Sequence, residues 1–173
     1  RSHGMTTLTW DRHKGHASTY DVVDLGYNYR MDEIRSAIGR EQLKKLPAGN
    51  ARRTELVLRY RRVFQDKVPA LGLPFAEQRG ISSQHIFPVL LPEGIQREAF
   101  REALKADGIQ TSFHYPPVHH FLIYRKEDEE LRMTERVVRR QVTLPLFPAM
   151  TDEQQDLVIE AVIRALKMLS VIV

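Results

Sequence analysis

From residue 82 onward, short strand-like runs alternate with helical stripes, and this alternation restricts the chain to an α/β architecture. The first run, Ser82 to Leu91, sets Phe87, Val89 and Leu91 on one face and Ile86 and Leu90 on the other. Apolar residues on both faces predict a buried strand. Pro88 interrupts that reading; it has no N–H to donate, so the run is predicted at an edge or a bulge. Pro92-Glu93-Gly94 turns the chain into a helix predicted over 95–107, with Ala99, Phe100, Ala103 and Leu104 as its stripe and Gly108 as its stop. A second short strand is predicted from Ile109 to Tyr115, ended by Pro116-Pro117. A charged helix over 127–140 and a third strand from Val142 to Leu144 follow. Thr151 and Gln154 form a capping-box pattern that opens the last helix. Its predicted core face is Leu157, Ala161, Val162, Ala165 and Leu166.

Upstream the pattern is purely helical. Asp32 reads as an N-cap, and Ile34, Ala37, Ile38 and Leu46 mark a stripe that is predicted to stop at Pro47-Ala48-Gly49-Asn50. A second helix over 51–66 carries Leu56, Val57, Tyr60, Val63 and Phe64 on one face. Leu58 falls on the opposite face, where a second partner would meet it. Residues 1–24 lack periodicity and read as a long loop. The expected fold is therefore α/β (α+β): a small sheet covered by helices, with long connecting helices. The expected organisation is loop and connecting helices over 1–66 and a small C-terminal α/β domain over 67–173.

Composition narrows the function classes. The 173 residues suffice for one domain with its own core, and no apolar run approaches the length of a membrane span. With no cysteine, disulfides and thiolate metal sites are excluded, which fits a cytoplasmic location. A net charge of +4 fits a solvated surface or an anionic ligand such as a sugar nucleotide. No nucleic-acid-binding motif accompanies it.

Two constellations stand out. Gly26-Tyr27-Asn28-Tyr29-Arg30-Met31 precedes a helix start, where an amide and a guanidinium suit phosphate oxygens. The same string also reads as a turn with packed aromatics and a solvated Arg30. Thr111 to His120 gathers His114, His119 and His120 beside two prolines. Those histidines suit either contact with a sugar hydroxyl or phosphate, proton transfer, or plain structural hydrogen bonding. His13 with His16, and His119 with His120, lack the further ligands a metal needs, so no metal site is expected. The lysines sit on charged faces or in loops, without the apolar surround that would prepare one for covalent chemistry.

Four ordered strings carry a family resemblance: Arg1-Ser2-His3-Gly4, read as native sequence rather than a cloning scar, Gly26-Tyr27-Asn28-Tyr29-Arg30-Met31, His114-Tyr115-Pro116-Pro117-Val118-His119, and Leu144-Pro145-Leu146-Phe147-Pro148. Together they resemble the C-terminal half of nucleotide-sugar aminotransferases of the DegT/StrS type, which use pyridoxal phosphate (PLP). The resemblance implies the C-terminal small domain of a fold-type I PLP enzyme and a homodimer with active sites at the subunit interface. It implies that Asn28, helped by Arg30, reaches the cofactor phosphate of the neighbouring subunit. His114 would lie on the substrate side, with His119 a weaker candidate. The reaction would move an amino group, usually from glutamate, to a keto-sugar nucleotide. The lysine that carries the cofactor, and the acid that partners its ring nitrogen, would lie upstream of Arg1. No catalytic residue is then expected within the chain, and alone it would be inactive. Two other readings stay open: a related PLP-family sugar dehydratase, with histidine in place of the lysine, and a non-catalytic module that dimerises or binds a sugar nucleotide.

Overall fold

The computed structural model describes residues 3–6, 14, 21–77, 80–125 and 131–170. The chain divides into two compact units, Arg1–Leu46 and Pro47–Val173. Four helices are present among the described residues: α1 (Glu33–Lys67), α2 (Arg97–Ala106), α3 (Arg132–Val138) and α4 (Asp152–Ser170). Two strands, β1 (Phe87–Leu90) and β2 (Gln141–Leu144), pair antiparallel with Phe87 opposite Leu144 and Leu90 opposite Gln141. No described helix is long and apolar enough to cross a membrane.

The predicted break at Pro47 is absent, and α1 runs unbroken from Glu33 to Lys67. An interior proline costs about 3 kcal/mol, because it loses one hydrogen bond and crowds the preceding turn. Ending the helix there would require nucleating a new one at residue 51, which is also unfavourable. Gly49 lies inside the helix beside Pro148, where a Cβ would be in ordinary contact, 3.4 Å from Pro148 Cγ.

In the unit Pro47–Val173, Leu56, Val57, Tyr60 and Phe64 are buried on one face of α1, as their spacing predicts. They join Phe87, Val89 and Leu91, Phe100 and Leu104 of α2, Val142 and Leu144 of β2, and Val158, Val162 and Leu166 of α4 in one core. Tyr60 stacks on Phe87 with ring centroids 4.9 Å apart, and its hydroxyl donates to Pro145 O at 3.1 Å. Burial pushes the Tyr60 phenol pKa up, so it stays a neutral donor.

The sheet is narrower than the three strands expected. Gly72 flanks β1 through paired hydrogen bonds with Leu90, both 2.8 Å, and Ser112 flanks β2 through a bridge to Thr143. The predicted strand from Ile109 to Tyr115 thus shrinks to one bridging residue. Its start is taken by the end of α2, where Ile109 N–H returns to Leu104 O. Its end runs into Pro116 and Pro117, which have no N–H to offer. Pro88 behaves as its chemistry requires. Leu90 N–H points away from β2 to Gly72, so Pro88, two residues earlier, has its missing donor on that same outer side.

Both ends predicted from capping chemistry are present. Gly108 N–H bonds Lys105 O and Ile109 N–H bonds Leu104 O, with Gly108 at φ +76°, which is a Schellman stop. Thr151 Oγ1 accepts from Gln154 N–H at 3.2 Å while Gln154 Oε1 accepts from Thr151 N–H at 3.0 Å. Two arginines of α1 hold this end of α4: Arg52 donates to Met150 O and Asp152, and Arg59 to Asp152 O and Asp156. Leu157, expected in the core, is 63% exposed, and Val158 and Ile159 are buried instead. At 100° per residue, Leu157 points about 140° away from Val162, the centre of the buried stripe. The charged helix is shorter than expected; of its predicted span, 127–130 lie outside the described residues.

Among the described residues of the unit Arg1–Leu46 none is buried, and its segments meet through backbone hydrogen bonds. Thr6 N–H bonds Asp21 O, Val23 N–H bonds Gly4 O and His3 N–H bonds Tyr27 O, so two segments expected to be loop cross each other. At two positions the contact leaves no room for a side chain. A Cβ on Gly4 would lie 1.9 Å from Asp24 O, and one on Gly26 would lie 2.2 Å from Gly4 N. His3 and Gly4 of the first string thus meet Gly26 and Tyr27 of the second, with the two glycines at the point of contact.

Candidate functional site

Asn28 and Arg30 occupy the turn between that crossing and α1. Asn28 Oδ1 accepts from Arg30 N–H at 3.2 Å, a side-chain-to-backbone turn that leaves the Asn28 amide nitrogen as an outward donor. Both residues are exposed. Tyr27 and Tyr29 stack with centroids 5.7 Å apart and are 62% and 73% exposed, so the packed-aromatic alternative finds no cover among the described residues. Asp32 caps α1, its Oδ1 accepting from Arg35 N–H at 2.8 Å. With a carboxylate at the helix end, an anion at this turn would rely on the Asn28 and Arg30 side chains rather than on the helix terminus.

His114 lies in the other unit, beside a cavity of about 590 Å³. Its Nδ1 pairs with Thr143 Oγ1 at 3.0 Å. The Ser112 bridge to β2 brings these two groups together, and the chain alternates around it. Phe113 packs under Arg97 and Arg101 of α2, with guanidinium carbons 4.6 and 5.6 Å from its ring centre. His114 lines the cavity with His85, Thr143, Pro145, Phe147 and Leu157. The Leu144-to-Pro148 string thus forms part of the wall around His114.

His119 does not join His114. It lines a separate open cavity of about 1420 Å³, with His120, α3 and the turn from Glu93 to Glu98. His119 Nε2 and His120 Nε2 meet one carboxylate oxygen, Glu135 Oε1, at 2.8 and 2.6 Å. Those hydrogen bonds, the one from His119 foremost, hold the Glu135 carboxyl below its usual range. Arg136 bonds Glu93 at 2.9 and 2.5 Å, and this keeps Glu93 ionised below the usual range as well. Arg97 does the same to Glu98 and also donates to Val138 O at 2.7 Å.

Lys44, Lys67 and Lys105 pair with Glu41, Asp66 and Glu102 on the surface, in keeping with their reading as solvated charges. His13, His16 and Lys126 lie outside the described residues. Sequence reasoning missed His85, Thr143 and Glu135. Thr143 carried a signal, as the one polar residue between Val142 and Leu144 in a wholly buried strand. Glu135 carried none, because it meets His119 from 16 residues away, on a helix with many charges.

The sequence profile of the DegT/DnrJ/EryC1/StrS aminotransferase family matches residues 1–163. The spore coat polysaccharide biosynthesis protein SpsC of Bacillus subtilis is 34% identical over 169 residues, covering 92% of this chain and 43% of that protein. PseC of Helicobacter pylori, an aminotransferase involved in the biosynthesis of pseudoaminic acid, superposes with a TM-score of 0.81 at 27% identity, covering 97% of this chain and 44% of PseC. The sugar-aminotransferase candidate Spr1654 of Streptococcus pneumoniae, in its PMP form, superposes with a TM-score of 0.77 at 25% identity over 96% of this chain and 43% of its own. The chain therefore spans less than half the length of the relatives it matches.

Proposed function

Because the chain belongs to the DegT/DnrJ/EryC1/StrS aminotransferase family, we propose that it is the C-terminal portion of a PLP-dependent enzyme. That enzyme moves an amino group from an amino acid, glutamate foremost, to a keto-sugar nucleotide. The family match over residues 1–163 carries this reading. The PMP and PLP forms in which Spr1654 has been solved support the choice of cofactor.

The donor set at the Asn28 turn fits a phosphate. Arg30 is exposed and supplies a fork of N–H donors, and Asn28 adds its amide nitrogen. In a homodimer these two would hold the phosphate of the cofactor bound in the neighbouring subunit. The uncovered apolar residues Ile34, Ile38 and Leu46, 75%, 58% and 46% exposed, support a partner against this region. When bound, PLP supplies the electron sink for amino transfer. His114, steadied through Nδ1 by Thr143, keeps Nε2 for a sugar hydroxyl. His119 is the lesser substrate contact, because Glu135 already holds its Nε2. The lysine that carries the cofactor comes from sequence preceding Arg1, and this chain alone is inactive.

The test is PLP affinity in the native-length enzyme carrying Asn28→Ala or Arg30→Ala. Each lost hydrogen bond to a charged phosphate is worth about 1.5–3 kcal/mol, so the Kd should rise by about ten-fold or more. A Kd unchanged in both variants would remove the phosphate role from this turn.

A further inference from the structure

We propose that His119, His120 and Glu135 bind one divalent transition-metal ion of the zinc, nickel or cobalt kind. Two imidazole nitrogens and one carboxylate oxygen are the donors such ions prefer. Their ligand atoms lie within 4.8 Å of one another, with Glu135 Oε1 between the two rings. A tetrahedral ion with bonds near 2.1 Å spaces its ligands about 3.4 Å apart. The carboxylate oxygen would therefore withdraw from each ring by about 0.6–0.8 Å, and the two imidazole nitrogens, up to 4.8 Å apart, would close toward each other by side-chain rotation.

The backbone already aims the rings. Val118–His120 is a single 3-10 turn that follows Pro116-Pro117, and it is closed by hydrogen bonds from His120 N–H to Pro117 O and from Phe121 N–H to Val118 O. The rings sit edge-to-face at 72°, with centroids 4.6 Å apart, and their Nε2 atoms converge on one oxygen. Glu135 is fixed on α3, its N–H bonded to Leu131 O at 2.9 Å.

The cavity around the three ligands is basic, with Arg97, Arg125 and Arg132 also in its lining. Arg139 approaches only the other carboxylate oxygen, at 3.9 Å, and Arg136 and Arg140 are engaged by Glu93. Access is open: the His120 side chain is 54% exposed, while that of His119 is 16% exposed. Three protein ligands would leave a position for water or an anionic ligand. The ion would tie the Val118–His120 turn to α3 and, when bound, would take His119 Nε2 away from the lesser substrate contact proposed for it.

The test uses tag-free, native-length protein stripped of metal with a chelator. Cobalt(II) is titrated and followed by its visible d–d absorption, and zinc is titrated by calorimetry. Wild type is compared with His120→Ala and Glu135→Gln. One saturable equivalent per chain in wild type, lost or weakened at least about ten-fold in both variants, supports the site. No saturable binding in wild type up to about 1 mM overturns it. So does binding of equal affinity and stoichiometry in all three proteins, because the metal would then sit elsewhere. His120 is exposed, so its replacement keeps the test valid even if Glu135→Gln fails to fold.

Discussion

The two units solve the problem of order in opposite ways. In Pro47–Val173, helices and a narrow sheet close on one apolar core, and the polar contacts decorate it. In Arg1–Leu46 no described residue is buried, and Leu25, Tyr29 and Ile34 are 88%, 73% and 75% exposed. Its described segments meet through backbone hydrogen bonds, with Gly4 and Gly26 at the point of closest approach. The contrast teaches that an apolar stripe in sequence states a need for cover without stating where the cover comes from. The stripes of α2 and α4 find theirs within the chain, and the stripe of Ile34 and Ile38 finds none among the described residues.

The largest expected effect probes the unit that has a core. Phe100 is fully buried and packs where α2 meets the sheet and α4. Phe100→Ala should cost about 3–5 kcal/mol, through lost transfer energy plus the cavity left behind. Chemical denaturation followed by circular dichroism measures it. A loss below about 1 kcal/mol would mean that the core is loosely packed and the contrast between the units is overstated.

A smaller, pH-dependent effect tests the polar clamp on that core. Arg52 donates to Asp152 at 2.6 Å, and this hydrogen bond holds the Asp152 carboxyl below its usual range. A depressed folded-state pKa stabilises above the unfolded value of about 3.9 and is lost as pH falls through the folded value. Wild type should melt above Asp152→Asn near neutral pH, and the gap should close as the pH drops below about 4. A gap that stays constant down to about pH 2 would show that the charge of Asp152 contributes nothing there.

How much of this was legible in sequence follows from whether the cause was local. The Thr151 and Gln154 box, the Gly108 stop and the placement of Pro88 each depend on the chemistry of a few neighbouring residues, and each was readable. The continuous α1 was not, because a proline names its own cost but not that of starting a new helix beyond it. The predicted second strand, Ile109 to Tyr115, failed because its donors and acceptors were taken by the end of α2 at one side and removed by two prolines at the other. Leu157 was misplaced because the apolar residues of α4 extend beyond its buried arc. At the candidate sites, the Asn28 turn was visible as a string. The separation of His114 from His119, and the arrival of Glu135, depend on how Ser112 meets β2 and how α3 returns.

The smallest expected effect is the sharpest probe of the difference between the units. Ile38 lies on α1, 58% exposed, four residues after an equally uncovered Ile34. Truncating an exposed side chain removes little burial, and alanine is the better helix former by about 0.4 kcal/mol. Ile38→Ala should therefore leave the stability of this chain within about 0.5 kcal/mol of wild type. Phe100→Ala in the same experiment gives the scale of a covered residue. In the native-length protein the two substitutions need not differ so much. If Ile38→Ala there costs about 2 kcal/mol or more, the stripe is covered by sequence or subunits outside this chain, and the contrast belongs to the 173 residues taken alone. If it remains neutral there too, Ile34 and Ile38 are solvent-facing by design, and the partner proposed for this region loses its support.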